Sequence, residues 1–219
     1  METENTLLPK KLEQIQILKV KRDKETHKLE VSVNIIYHND KTEENEEKKD
    51  VFAEMIITPD YPIHEDLQLV FQELGIHLAF VTDQLRTEEY TEHFFTELLA
   101  DPLIADKTTH FILKRILATY VIFGKDEEKS VVALGGQRLL QSGNILNMNA
   151  TNVWYERTEN YNYRYWARLD ICLENLRKEV ISYLYGKHSP IAVQLEMFPP
   201  KKKKGNKMAE VEEAIEGQD

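Results

Sequence analysis

The feature that most constrains the fold is a repeated order of patterns, in which three strand-like segments precede a helical one, twice. In residues 28–37, apolar residues alternate with polar ones, which is typical of a strand with one buried face. We predict strands at residues 12–22, 28–37, 51–58, 111–123, 130–140 and 145–155. Helices are predicted from about residue 65 and from about residue 165, because apolar residues recur there every three or four positions. The predicted fold class is α+β: two three-stranded antiparallel β-meanders, each followed by a helix.

The segments between these elements also carry structural signals. Residues 39–50 are polar throughout, so we expect an exposed hairpin tip, and residues 124–129 are predicted to form a second hairpin loop. Residues 86–107 are acidic and suggest a helical connector. We expect Gly75 to weaken the first helix or to end its first part, and Gly186 to cap the second.

The repeated order has two interpretations. It is either a strand–strand–strand–helix pseudo-repeat, offset by about 100 residues, or two meanders of one α+β domain. Two three-stranded sheets, each covered by a helix on one face, could form two layers around a shared core. We place the boundaries at residues 1–110 for the first unit, 111–198 for the second, and 199–219 for a disordered charged tail.

Composition excludes several classes of protein. The 219 residues carry a net charge of −10, which disfavours a broad, non-specific DNA-binding surface. The single cysteine, Cys172, excludes an internal disulfide and a cysteine-rich zinc site, and its position on the apolar face of the last helix predicts a core residue. No apolar run reaches the roughly 18 residues of a membrane span, and the polar N-terminus does not resemble a signal peptide. We therefore expect a cytoplasmic protein with no membrane contact.

The sequence offers little support for catalysis. It contains no glycine-rich phosphate-binding loop, and Gly135-Gly136 inside a strand is more typical of a bulge or of close backbone packing. The histidines are scattered, and although Glu89 and His93 could share a helix face, two ligands do not make a metal site. We predict a non-enzymatic protein without a cofactor or a metal.

Residues 194–198 form the most specific short motif, Gln-Leu-Glu-Met-Phe. The motif resembles the pentapeptide by which bacterial DNA-metabolism proteins bind the replicative sliding clamp, with Met197 in place of the usual leucine. This resemblance implies that Gln194 makes polar contacts, while Leu195, Met197 and Phe198 enter a hydrophobic pocket. Alternatively, these apolar residues form a last edge strand that packs on the domain.

A second candidate surface combines aromatic and arginine residues, which together can stack bases and bind phosphates. The predicted nucleic-acid-binding residues are Trp154, Tyr155, Arg157, Tyr163, Arg164, Trp166 and Arg168. A basic strip could extend this surface through Lys19, Lys21, Arg22, Lys114 and Arg115. The alternative is that the aromatic residues cover the sheet edge and seat the last helix.

The run from Ser130 to Ala150 resembles a hairpin of uncharacterised α+β proteins of tailed phages and prophages. The matching positions are Arg138, Gly143, Asn147 and Asn149, and the segment 140–143 departs by one inserted residue. The resemblance covers about residues 116–198 and implies a role in phage DNA replication or recombination, in the host cytoplasm. We expect an accessory protein that docks on a sliding clamp or another DNA-replication protein. The alternatives are a single-stranded-DNA-binding protein and an inhibitor of a host factor.

Overall fold

The computed structural model describes residues 15–38, 50–86, 97, 107–126, 129–155 and 163–188. The strands are β1 Ile15–Arg22, β2 Leu29–His38, β3 Asp50–Ile57, β4 Ile116–Asp126, β5 Lys129–Leu139 and β6 Ile145–Trp154. The helices with described bounds are α1 Glu65–Val81, α2 Lys107–Leu113 and α3 Trp166–Leu184. The fold class is α+β, and none of these helices is long and apolar enough to cross a membrane.

The six strands form one antiparallel sheet in the order β3-β2-β1-β4-β5-β6. The two predicted meanders therefore lie side by side in a single layer and do not form two layers. They are joined by antiparallel pairing of Lys19–Lys21 in β1 with Tyr120–Ile122 in β4. This pairing covers one free edge of each meander, and free edges are a liability for a soluble sheet. Duplication of a strand–strand–strand–helix unit stays a prediction.

The helices α1 and α3 cover one face of this sheet, and one cluster of buried side chains draws on both halves of the chain. Alternate strand residues face these helices, as Val31, Val33 and Ile35 of β2 do, each with 0% exposure. The ends of the two helices are tied by reciprocal hydrogen bonds between Tyr61 and Tyr183. Each hydroxyl donates to the other residue's carbonyl, at 2.8 and 2.5 Å.

The predicted start of the fourth strand is wrong, because residues 111–113 complete α2 and β4 begins at Ile116. The apolar run from Phe111 to Leu113 resembles a strand but is folded into a local turn. The Arg115 backbone N–H donates to the carbonyl of Ile112 at 3.1 Å, and the guanidinium of Arg115 lies 3.9 Å from the centroid of the Phe111 ring. This turn separates the helix from the strand.

Two further predictions are wrong: the end of a helix at Gly75 and the length of the loop at residues 124–129. Gly75 does not interrupt α1, which is continuous from Glu65 to Val81. A Cβ at Gly75 would lie 3.6 Å from the carbonyl oxygen of Ile116, so the glycine marks the place where α1 crosses close to β4. The loop predicted at residues 124–129 is shorter, since Asp126 already pairs with Lys129 and only residues 127 and 128 lie between them.

Other predictions are confirmed. The last helix runs from Trp166 to Leu184, and Gly186 follows it with φ of 99° while its N–H donates to the Tyr183 carbonyl. Positive φ carries no steric penalty for glycine, which explains its use at a helix C-terminus. Cys172 is fully buried, as its place on the apolar helix face predicts.

The pair Gly135-Gly136 has a separate packing role on each face of the sheet. A Cβ at Gly135 would lie 2.1 Å from the Tyr120 ring. A Cβ at Gly136 would lie 2.2 Å from the Leu117 carbonyl oxygen and 2.7 Å from a Leu78 methyl of α1. The close packing expected for these glycines is therefore present on both faces.

We predict that Gly136→Ala destabilises the protein more than Gly135→Ala does. The backbone carbonyl of Leu117 cannot move away from a new methyl group, whereas the Tyr120 side chain can move outward at the cost of its hydrogen bond to Asn149. Overpacking of this kind costs about 1–3 kcal/mol, or roughly 2–4 °C in melting temperature per kcal/mol for a chain of this size. Thermal unfolding monitored by circular dichroism measures the difference.

Gly124→Ala is the matched control, because its Cβ would make only an ordinary contact of 3.5 Å with Val131. Equal melting temperatures for Gly136→Ala and Gly124→Ala would contradict the packing argument.

Candidate functional site

The sheet has a second face, which points away from α1 and α3 and which we call the open face. Side chains of adjacent residues alternate between the two faces. Gly136 approaches Leu78 of α1, so Gly135 and the Tyr120 ring above it belong to the opposite side. The strand register places Ser32, Lys19, Lys21, Ile122, Ala133, Gln137, Asn147 and Asn149 on this open face.

Two apolar side chains on the open face are exposed. Ile122 in the middle of the sheet is 40% exposed, and Ile56 in β3 is 66% exposed. Leu117 and Val131 on the same face are buried, at 5% and 6% exposure. An apolar surface at the centre of a sheet, surrounded by polar groups, is a common feature of binding surfaces.

Tyr120 has a fixed position on the open face. Its ring lies across Gly135, because the glycine leaves room for it, and its hydroxyl donates to Asn149 Oδ1 at 2.9 Å. A parallel hydrogen bond runs from Gln137 Nε2 to Asn147 Oδ1 at 2.8 Å. The ring and three amide groups therefore form a pre-organised patch across β4, β5 and β6.

Trp154 lies on the same face at the end of β6. It pairs with Val131, while its neighbour Val153 is buried on the helix side. The ammonium group of Lys129 lies 4.0 Å from the centroid of the indole ring, within the range of a cation–π interaction. Given a strand spacing of about 4.8 Å and a rise of about 3.4 Å per residue, the Trp154 and Tyr120 backbones lie roughly 16 Å apart.

Two lysines lie beside Tyr120 on the neighbouring strand. Lys21 pairs with Tyr120, and Lys19 pairs with Ile122. Glu30 of β2 lies opposite Lys21 on the same face, with its carboxylate 3.8 Å from the Lys19 ammonium. Arg22, which the predicted basic strip included, points to the helix side and is buried. Its guanidinium lies 5.5 Å from the centroid of the Phe71 ring, and burial lowers the pKa of Arg22 to about 10. Of the residues of β1 in the predicted basic strip, Lys19 and Lys21 reach the open face and Arg22 does not.

The negative charge of the chain is unevenly distributed. The described residues contain 17 Lys and Arg against 15 Asp and Glu, a net charge of +2. The other residues contain 11 Lys and Arg against 23 Asp and Glu, a net charge of −12. The overall charge of −10 therefore does not describe the sheet and its helices.

A cleft of about 550 Å³ lies on the helix side of the sheet where β1 and β4 separate, with Arg177 and Ile181 of α3 in its wall. Their pairing covers only three residues of each strand, and a bulge lies between Ile17 and Lys19. Segments 15–18 and 123–125 line the cleft on either side. No acidic side chain is among the described residues that line it, whereas Lys125 and Arg177 are.

Arg177 is held in position at this cleft. Its guanidinium lies 4.4 Å from the centroid of the Phe123 ring, and its Nη2 donates to Tyr155 Oη at 3.0 Å. Glu174 pairs with the same guanidinium. These contacts fix the orientation of the guanidinium, and Glu174 already balances its charge.

The predicted aromatic–arginine segment is divided by the fold. Tyr155 and Tyr163 are only 6% and 4% exposed, so their rings offer no face to a base in this conformation. Trp154 and Trp166 are half-buried, as is Arg168, and Arg164 is exposed. Trp166, Arg164 and Arg168 lie at the start of α3 and not on the strand that carries Trp154.

Other predicted residues lie outside the described part of the chain. They are Arg157, Glu89, His93 and the docking motif with Gln194, Leu195, Met197 and Phe198. Tyr120 is not among the residues predicted from the sequence, although a weak signal for it is present. It is an aromatic residue at an alternating position, and the register places a glycine directly opposite.

We predict that Tyr163→Phe lowers the melting temperature more than Tyr155→Phe. The Tyr163 hydroxyl lies 2.8 Å from Nδ1 of the buried His77, and loss of a buried hydrogen bond costs about 1–3 kcal/mol. The Tyr155 hydroxyl bonds to Arg177, which is partly exposed and also pairs with Glu174. Thermal unfolding of the two variants tests this order. Equal falls in melting temperature would show that the Tyr163–His77 hydrogen bond stabilises the fold no more than the Tyr155–Arg177 hydrogen bond does.

Comparison with protein-family models, with curated proteins and with solved structures finds no match for this chain. The chemistry of the open face, and of the cleft beside Arg177, is therefore the evidence for function.

Proposed function

We propose that this protein is a non-enzymatic accessory protein of phage DNA replication or recombination that binds single-stranded DNA on the open face of its sheet. The observation that supports this proposal is the presence of Tyr120 and Trp154 on one sheet face that no described helix covers. Lysines lie beside both rings. This combination is the one by which sheet surfaces bind single strands with little sequence preference.

Each element of the open face has a role in such binding. The aromatic rings stack bases, at about 1–3 kcal/mol per base. Lys19, Lys21 and Lys129 neutralise phosphates, and the amides of Gln137 and Asn147 offer hydrogen bonds to base edges. The exposed side chain of Ile122 lies between the rings and supports apolar contact with an unstacked base.

The distribution of charge is compatible with this function. The described residues of the sheet and its helices carry a slight positive charge. The acidic segments elsewhere in the chain limit non-specific association with duplex DNA. Single strands, with exposed bases, gain stacking energy that a duplex does not offer.

We expect Tyr120→Ala and Trp154→Ala each to weaken binding of a labelled single-stranded oligonucleotide of roughly 16 nucleotides by about 5- to 150-fold. The factor follows from the loss of one stacked base, and fluorescence anisotropy measures it. Tyr185→Ala is the matched control, because Tyr185 is 39% exposed but lies just after α3 in the helical layer. The proposal is wrong if the unmodified protein does not bind at low salt, or if Tyr185→Ala weakens binding as much.

The salt dependence of the same titration tests the lysines. Lys19→Ala and Lys21→Ala should each reduce the slope of log affinity against log salt by roughly 0.7 for every phosphate that the substituted lysine neutralises. If the slope of log affinity against log salt is unchanged in both variants, neither lysine contacts a phosphate.

A second candidate function is docking on a sliding clamp through residues 194–198. The sequence of this motif and its position after α3 support docking on a clamp. The motif begins six residues after His188, the last described residue beyond α3. Extended chain spans about 3.5 Å per residue, so the motif can reach roughly 20 Å beyond that point. This function is compatible with DNA binding on the open face, because it uses different residues.

We predict that Leu195→Ala combined with Phe198→Ala abolishes clamp binding without changing the melting temperature or the affinity for DNA. If these residues instead form an edge strand, the melting temperature falls, since truncation of buried apolar side chains costs about 2–5 kcal/mol each. Ile191→Ala with Val193→Ala is the control pair, with apolar residues just outside the motif. Calorimetric titration with purified clamp, alongside thermal unfolding, distinguishes the two outcomes.

A further inference from the structure

Three side chains with metal-binding groups converge between α1 and α3. They are Glu73 and His77 of α1 and Cys172 of α3, and one ligand atom from each lies within 4.8 Å of the others. His77 and Cys172 are both 0% exposed, while Glu73 is half-buried at the rim. The described residues contain one other such group, His64 with Asp66 and Glu179. There the Lys187 ammonium already lies 2.6 and 2.7 Å from the two carboxylates and supplies the positive charge.

The residue types of the buried group suit zinc. Cysteine sulfur, histidine nitrogen and carboxylate oxygen are its usual ligands, at about 2.0–2.3 Å, which sets neighbouring ligands roughly 3.3–3.8 Å apart. Glu73 and His77 are four residues apart, so they share one face of α1. A contraction of about 1 Å, within reach of side-chain rotation, would bring the three atoms onto one ion.

The surroundings of His77 match those of a zinc ligand. Its Nδ1 lies 2.8 Å from the Tyr163 hydroxyl. Metal-binding histidines typically direct their second ring nitrogen to such a hydrogen-bond partner, which fixes the orientation of the ring. This contact assigns Nε2 of His77 as the coordinating atom and Tyr163 as the residue that positions it.

Charge balance also fits a divalent ion. Zinc ligands bind in their deprotonated forms, so the histidine would bind as neutral imidazole and the cysteine as thiolate. Zinc would displace the thiol proton, and the ion with one thiolate and one carboxylate would then be neutral overall, which suits a buried site.

We propose that Glu73, His77 and Cys172 bind one zinc ion between α1 and α3, with a water molecule as the fourth ligand. The ion links the two helices that cover the sheet. No metal site is predicted from the sequence, because one cysteine and distant histidines show no metal-binding spacing. The site exists only because α1 and α3 pack against each other.

Elemental analysis of the purified full-length protein, after incubation with zinc and removal of free metal, tests the site. We expect one zinc ion per chain, and a melting temperature that falls by several degrees with a chelator and recovers with zinc. Replacement by Co²⁺ should produce the near-ultraviolet charge-transfer absorption of a cobalt–thiolate bond. A protein that takes up no zinc, or a cobalt spectrum without that absorption, overturns the proposal.

Variants separate zinc binding from packing. Cys172→Ala and Glu73→Gln should each lose stoichiometric zinc. Glu73→Gln keeps the shape of the half-buried side chain, so it remains informative if Cys172→Ala fails to fold. Glu179→Gln, in the other histidine–carboxylate group, is the control and should keep its zinc. Tyr163→Phe should weaken zinc affinity by about 10- to 100-fold, measured by chelator competition. Loss of zinc in Glu179→Gln, or full retention in Glu73→Gln, would contradict the assignment.

Discussion

The pairing of β1 with β4 is the interaction on which the rest of the structure depends. It covers only three residues of each strand, yet it joins two meanders into one six-stranded sheet. Because the sheet is single, α1 and α3 pack against the same face and against each other. The opposite face then carries the exposed residues. Where the pairing stops, the two strands separate and the cleft beside Arg177 begins.

The glycine pair in β5 links packing to the candidate function. On the helix side, Gly136 allows Leu78 of α1 to approach the sheet. On the open side, Gly135 allows the Tyr120 ring to lie across the strand, and Asn149 holds its hydroxyl. Rings fixed in this way lose little conformational entropy on binding, which favours stacking of a ligand base. The same two residues thus support both the core and the surface.

Two tyrosines that the sequence placed in a nucleic-acid-binding segment are core residues in the fold. Tyrosines among arginines favoured a nucleic-acid-binding segment, with packing as the alternative. The fold buries Tyr155 and Tyr163 between the sheet and the helices, and each hydroxyl there has a polar partner. Trp154 is the last residue of β6 and faces the open side, whereas Tyr155, which follows the strand, belongs to the buried core. A change of one position therefore separates a surface residue from a core residue.

Local pattern alone determined the α+β class, most element positions, the buried face of α3 and the C-terminal glycine at residue 186. These depend on periodicities of two and 3.6 residues and on the conformational freedom of glycine, all of which are local properties. Only the tertiary structure decided that the meanders share one sheet, that Tyr120 and Trp154 lie on its open face, and that Glu73, His77 and Cys172 meet. Each of these depends on contacts between residues far apart in the chain. Strand order, register and helix packing set such contacts, and no local pattern specifies them.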